Sequence, residues 1–253
     1  MRWILILTLT LLWPAMSDAT AAEIRVLSAG AVEPGLAKVI DAFRRETGHD
    51  VKVTFATAPA IRKRIGGGET VDVVVAPPDV LDELVKAGKA AAADSVTVGR
   101  IGVGVMVRYG APLPKIATVD EFKQSLLDAE SVVYNQASTG IYLEGLFARL
   151  GIAEPLKAKT TRYPDAAAVL DHVGKGKGNE IGLGATTVII EGRSKGLMFV
   201  GPLPSGIQNY TTYLATVVAD GAARDAAREF IRYLTTPVAK TAFAAAGIEE
   251  ADS

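Results

Sequence analysis

Between Ile24 and Gly88 the chain repeats one pattern three times: a short apolar run, a turn of small residues, then an amphipathic segment. Ile24 to Ser28 reads as a strand. After it Leu36, Val39, Ile40 and Phe43 recur at helical spacing, with Pro34 in the first turn and Gly48 as the stop. Val51, Val53 and Phe55 alternate as a second strand, and Ala56-Thr57-Ala58-Pro59 turns into a helix carrying Ile61 and Ile65 that Gly66-Gly67-Gly68 breaks. Val71 to Ala76, apolar except for Asp72, is a third strand. Pro77-Pro78-Asp79 opens a third helix with Val80, Leu81, Leu84 and Val85 inward and Gly88 as its stop. Such alternation calls for a parallel sheet with helices on its faces, and uninterrupted apolar strands suit burial on both faces. Ligands of such sheets gather beyond the carboxyl ends of the strands, where these turns lie.

The same pattern returns at Tyr134-Asn135-Gln136-Ala137-Ser138-Thr139-Gly140-Ile141-Tyr142, with Leu143, Leu146, Phe147 and Leu150 on one helical face and Gly151 as terminator. Ser138 or Thr139 is expected to cap the helix. Small hydroxyl residues at a helix start also leave room for an anion to approach unpartnered N–H groups.

Elsewhere Ile101 to Arg108 reads as a long strand into a second lobe, and Thr118-Val119-Asp120-Glu121 as a capping box. Pro164 to Val173 reads as a helix, Gly174 to Gly178 as an exposed turn, Ile181 to Thr186 as strand and loop, and Leu197 to Val200 as a strand. Tyr213 to Ala219 would return the chain to the first lobe before two C-terminal helices, the second capped at Thr236-Pro237.

With 27 basic and 28 acidic residues among 253, the chain generates no field suited to nucleic acid or an anionic membrane. Any selectivity for charge must be local. Residues 1–22 read as a cleavable export signal: Arg2, an apolar run from Trp3 to Trp13, Pro14, and Ala19-Thr20-Ala21. An exported chain without cysteine fits a periplasm and rests on its core alone. No H-E-x-x-H, G-x-S-x-G or C-x-x-C is present, so no catalytic set, metal site or cofactor is expected. Gly174 to Gly178 lacks phosphate-loop spacing, and His49 and His172 sit where surface roles suffice. Arg62, in the second helix near the Thr57 turn, and Arg100, at the start of the strand between lobes, are the guanidinium groups placed to grip a carboxylate or oxoanion.

From Ile24 to about Gly247 the chain resembles periplasmic substrate-binding proteins of the type related to the molybdate-binding component of ABC transporters. The resemblance rests on IRVLSAGAVEPGLAKVIDAF (Ile24 to Phe43), Thr47-Gly48 with Val51 to Phe55, Val71-Asp72-Val73-Val74, and Ser138 to Tyr142 with Leu150-Gly151-Ile152. It implies two α/β lobes, each a mainly parallel sheet flanked by helices, joined by crossover strands and closing on a small anion for a membrane permease. The lobes would be residues 23–99 with 208–253, and 100–207, hinged near Arg100 and Tyr210. A monomer is expected. The implied contacts are Gly30, Ala31, Thr57, Ala58, Ser138, Thr139, Gly140 and Ala185, with Arg62 and Arg100 beside them. Where molybdate-binding relatives place serine hydroxyls, Ala31 and Thr57-Ala58 stand here, and their later tyrosine falls near Gly184-Ala185. A tetrahedral dianion loses donors at these positions, which favours an organic di- or tricarboxylate. The resemblance also reaches an enzyme on this scaffold, aconitate isomerase. Its proton shift would need a general base, for which Glu33, Tyr134 and Tyr163 are the candidates.

Overall fold

The computed structural model describes residues 21–251. The expected export signal lies almost wholly outside the described residues, among which no helix is long and apolar enough to cross a membrane.

The three N-terminal units form as their spacing predicts. Strands β1 (Glu23–Ala29), β2 (Asp50–Ala56) and β3 (Val73–Ala76) are parallel, with β1 central: Val26 lies opposite Val53 on one side and Val73 on the other. Helix α1 (Glu33–Thr47) buries Leu36, Val39, Ile40 and Phe43 and stops at Gly48, whose φ of 76° is the left-handed conformation that glycine adopts without strain. Helices α2 (Ala58–Gly66) and α3 (Pro78–Lys86) bury Ile61 and Ile65, and Val80, Leu81 and Leu84. Asp72, the polar break in the third apolar run, stands just before β3. Its carboxylate is 1% exposed and accepts backbone N–H bonds from Arg25 (2.7 Å) and Ala223 (2.9 Å).

The chain then crosses over on β4 (Ala90–Arg108), a strand of 19 residues that begins well before the predicted Ile101. Ala90 to Arg100 gives no apolar alternation, so its pairing with the return strand comes from tertiary context. Beyond it lie α4 (Val119–Asp128), β5 (Ser131–Asn135), α5 (Ser138–Arg149), α6 (Ala153–Lys157), β6 (Thr160–Tyr163), α7 (Ala166–Lys175), β7 (Glu180–Ala185), α8 (Thr186–Glu191) and β8 (Leu197–Pro202). The capping box is present: Thr118 Oγ1 accepts from the Glu121 N–H at 3.1 Å and Glu121 answers at the Thr118 N–H. The Gly174 to Gly178 turn is shorter than expected, because α7 runs through Gly174 to Lys175. The short α6, β6 and α8 have too few residues to show a period.

Strand β9 (Tyr210–Val218) returns, and α9 (Arg224–Tyr233) and α10 (Pro237–Ala245) close the fold. The helix α10 packs on α1 at Gly35, where a Cβ would come within 2.8 Å of Phe243. The nine strands run β2-β1-β3-β9-β4-β7-β5-β6, with β8 also paired to β4. Strand β4, at 19 residues, pairs with strands of both halves. From Ala90 to Gly102 β4 pairs antiparallel with β9; from Val103 to Arg108 it pairs with β7 and β8.

The core divides at the same place. One body of buried side chains runs from Ile24 to Ile101 and from Tyr213 to Ile248, with Ala185 added. The other begins at Val103 and ends at Leu203, with a satellite around Met106, Val169 and Ile189. Between them Gln208 pairs its amide with both backbone groups of Val103, at 2.9 and 3.0 Å, as a neighbouring strand would.

Candidate functional site

A cleft of about 480 Å³ opens between the two bodies of core. Its walls are the carboxyl ends of strands and the helix starts that follow them. Ala29 precedes the short 3-10 turn that leads into α1, Thr57 precedes α2, Pro77 α3, Ala137 α5 and Ala185 α8. All five residues line the cleft, and none supplies a side-chain cap. A helix start carries several N–H groups without intrahelical partners and about half a positive charge. The sequence thus aims uncapped donors at one space.

At α5 the expected cap by Ser138 or Thr139 is replaced by a different arrangement. Ala137 is the N-cap, and Asn135 Oδ1 accepts its N–H at 3.0 Å. The first helical bond runs from the Ile141 N–H to the Ala137 carbonyl, which leaves the amides of Ser138, Thr139 and Gly140 ahead of it. Neither the Ser138 nor the Thr139 hydroxyl is engaged by another described residue, and both side chains line the cleft. Gly140 lies behind the lining: a Cβ there would fall 1.7 Å from the Asn135 carbonyl oxygen. Only glycine permits this turn. At α2 the Ile61 N–H bonds to the Thr57 carbonyl at 2.9 Å. The amides of Ala58 and Ala60 precede that bond, while Pro59 has none.

Of the residues singled out from the sequence, Gly30, Ala31, Thr57, Ala58, Ser138, Thr139 and Ala185 come together here. The two arginines do not. Arg62 points to the outer face of α3, where it pairs with Asp79 and, at 3.0 Å, with Glu83. A helix places i+4 and i+1 neighbours on different sides, and Arg62 follows buried Ile61 onto the face away from the Thr57 turn. Arg100 stands mid-way along β4, 3.4 Å from Glu249 and with its guanidinium 4.5 Å above the Tyr210 ring. Among the three candidate bases, only Glu33 lines the cleft. Tyr134 is buried beneath Arg162 against Phe147, and Tyr163 bonds His172 at 2.9 Å on another face.

Several lining residues carried no sequence signal. Asn135 was visible only as part of a turn. Tyr213, 4% exposed, enters the wall from β9. Asp165, Glu191 and Lys195 join Glu33 as exposed charges at the rim. Asp165 is engaged as the cap of α7, accepting from the Ala168 N–H at 2.9 Å. Partial burial, then the charge of Glu191, pushes the Glu33 carboxyl above its ordinary range, and Lys195 opposes the shift. Phe55, Met106, Leu183 and Ile189 supply apolar wall. Among the described residues no group of histidine, aspartate and glutamate could hold a metal ion. The site can therefore grip negative charge through neutral donors, against a partly apolar surface, with the Glu33 carboxyl at its edge.

Residues 24–249 match the family model for bacterial extracellular solute-binding proteins. The chain belongs to that family. This solute-binding chain is also similar, at 32% identity over 244 residues, to the aconitate isomerase of a Pseudomonas species, covering 93% of this chain and 91% of that one. Among solved structures, the periplasmic molybdate-binding protein of Azotobacter vinelandii superposes with a TM-score of 0.77 at 17% identity, covering 90% of this chain and 100% of that one. The sulfate-binding protein of Mycobacterium tuberculosis H37Rv superposes with a TM-score of 0.75 at 21% identity, covering 91% and 88%. At those identities the two structures speak for the fold, the two-lobed periplasmic binding protein, and for nothing finer.

Proposed function

We propose that the chain is a periplasmic, monomeric receptor that holds a small organic di- or tricarboxylate in this cleft and presents it to an ABC permease. Residues 23–99 with 208–253 would form one lobe and 100–207 the other, closing about β4 and β9. The observation that carries this reading is the convergence of uncapped helix starts, with the free hydroxyls of Ser138 and Thr139, on one cleft. A carboxylate accepts such donors without needing a counter-charge. Size favours an organic ligand over a tetrahedral oxoanion. A volume of 480 Å³ is room for about sixteen waters at about 30 Å³ each, and the apolar wall suits carbon. Thermal-shift screening of the mature chain against citrate, cis- and trans-aconitate, succinate, sulfate and molybdate tests it. A carboxylate at one hundred times its dissociation constant should add about 2.7 kcal/mol of stability. Silence across the panel, or a response to molybdate or sulfate alone, would contradict it.

A second reading is supported by Glu33. A carboxyl at the cleft whose pKa the fold raises is a candidate for the general base that a 1,3-proton shift requires. The 32% identity to an aconitate isomerase points the same way. Incubation with cis-aconitate, followed by ultraviolet absorbance, should then show conversion that Glu33→Gln slows by roughly a hundredfold or more. No turnover at high protein concentration would remove this reading and leave the first intact.

A further inference from the structure

Tyr213 is a buried polar side chain of the cleft wall, and it arrives on β9, one of the two strands that pass between the cores. Burial drives its pKa well above that of an ordinary phenol, so it stays a neutral O–H donor at any physiological pH. Beside it is the Thr211 hydroxyl, two residues away on the same strand face, which acts on the phenol in the opposite sense. Buried donors in native proteins find acceptors. The turns at Ala31, Ala58 and Gly184-Ala185 offer no side-chain donor to the same space.

We infer that Tyr213 is a ligand-binding residue, its phenol O–H donating to a carboxylate oxygen of the bound molecule at the floor of the cleft. The inference rests on the cleft being the carboxylate site. It adds that the selectivity of the site comes from the crossover strand as well as from helix starts. A neutral donor there favours a ligand oxygen over a ligand ammonium or hydroxyl proton.

Calorimetric titration with citrate and with trans-aconitate separates the two claims. Wild type should bind at least one of them. Ser138→Ala, at a helix start, should weaken binding if the cleft is the site. Tyr213→Phe keeps the ring and should weaken the same ligand by about tenfold or more. Binding by Tyr213→Phe within about twofold of wild type, with Ser138→Ala weakened, overturns the role of Tyr213 and spares the cleft. Failure of wild type to bind either probe brings both down. Should Tyr213→Phe fold poorly, 3-fluorotyrosine placed at position 213 provides a second measurement. Its fluorine resonance should move on saturation with ligand, and an unmoved resonance at saturation also overturns the inference.

Discussion

Gly140 shows how much one residue can decide. The turn between β5 and α5 brings the Asn135 carbonyl into the space where any Cβ would stand, 1.7 Å away. Gly140→Ala must therefore shift backbone, not a flexible side chain, and should cost about 1–3 kcal/mol in a urea melt while abolishing ligand binding. By contrast Gly30, where an added Cβ would meet nothing within 4 Å, should accept alanine with its melt unchanged. Glu33 makes a different prediction. Its ordinary pKa is 4.5 and the fold raises it, first through burial and then through Glu191. The folded chain thus keeps a proton that the unfolded chain releases, so stability falls as pH climbs through the window just above 4.5. Glu33→Gln should erase that fall and raise the melting temperature at neutral pH relative to wild type. A pH series of melts in which the variant and wild type run parallel would contradict it. The glycine and hydroxyls of this site were legible in the sequence because helix starts announce themselves by residue type. Tyr213 was not, since an aromatic in a strand looks the same whether it faces core or cleft.

At the scale of elements, the three N-terminal units were readable from spacing alone because each helix buries one apolar stripe and each strand is covered on both faces. Asp72 interrupts that pattern for a reason seen only in three dimensions: it ties the N–H groups of Arg25 and Ala223 to the foot of β3. Asp72→Ala removes the buried acceptor of two part-buried N–H donors and should destabilise the fold by about 1–3 kcal/mol, read from denaturant midpoints, with little change if those N–H groups find water instead. The start of β4 and the elements α6, β6 and α8 were not legible. Ala90 to Arg100 is a strand because β9 lies beside it, and β6 because β5 does. The arginines misled for a related reason. A guanidinium's reach is long, and its partners Asp79, Glu83 and Glu249 are chosen by packing.

For the whole molecule, the question is how the two bodies of core meet. Helix α8 follows strand β7 of the second body, yet its Thr187, fully buried, donates to the Ala31 carbonyl of the first at 2.6 Å. Ala31 lines the cleft, so this bond joins the two bodies of core at the cleft's edge. Thr187→Val keeps the shape and leaves the carbonyl unpaired, at a cost of about 1–3 kcal/mol. If lobe closure accompanies binding, the variant should show a larger ligand-free radius of gyration by X-ray scattering and weaker affinity. Identical scattering and affinity would place the hinge elsewhere. The central claim, that backbone amides at helix starts from both lobes hold the ligand, is tested most directly by amide hydrogen exchange of the mature chain with and without a saturating carboxylate found in the thermal screen. Protection should concentrate at the starts of α2 and α5, around Ala58, Ala60 and Ser138 to Gly140. Protection confined to other surfaces, such as the groove beside Arg62 and Lys89, with those amides exchanging as freely as before, would contradict it.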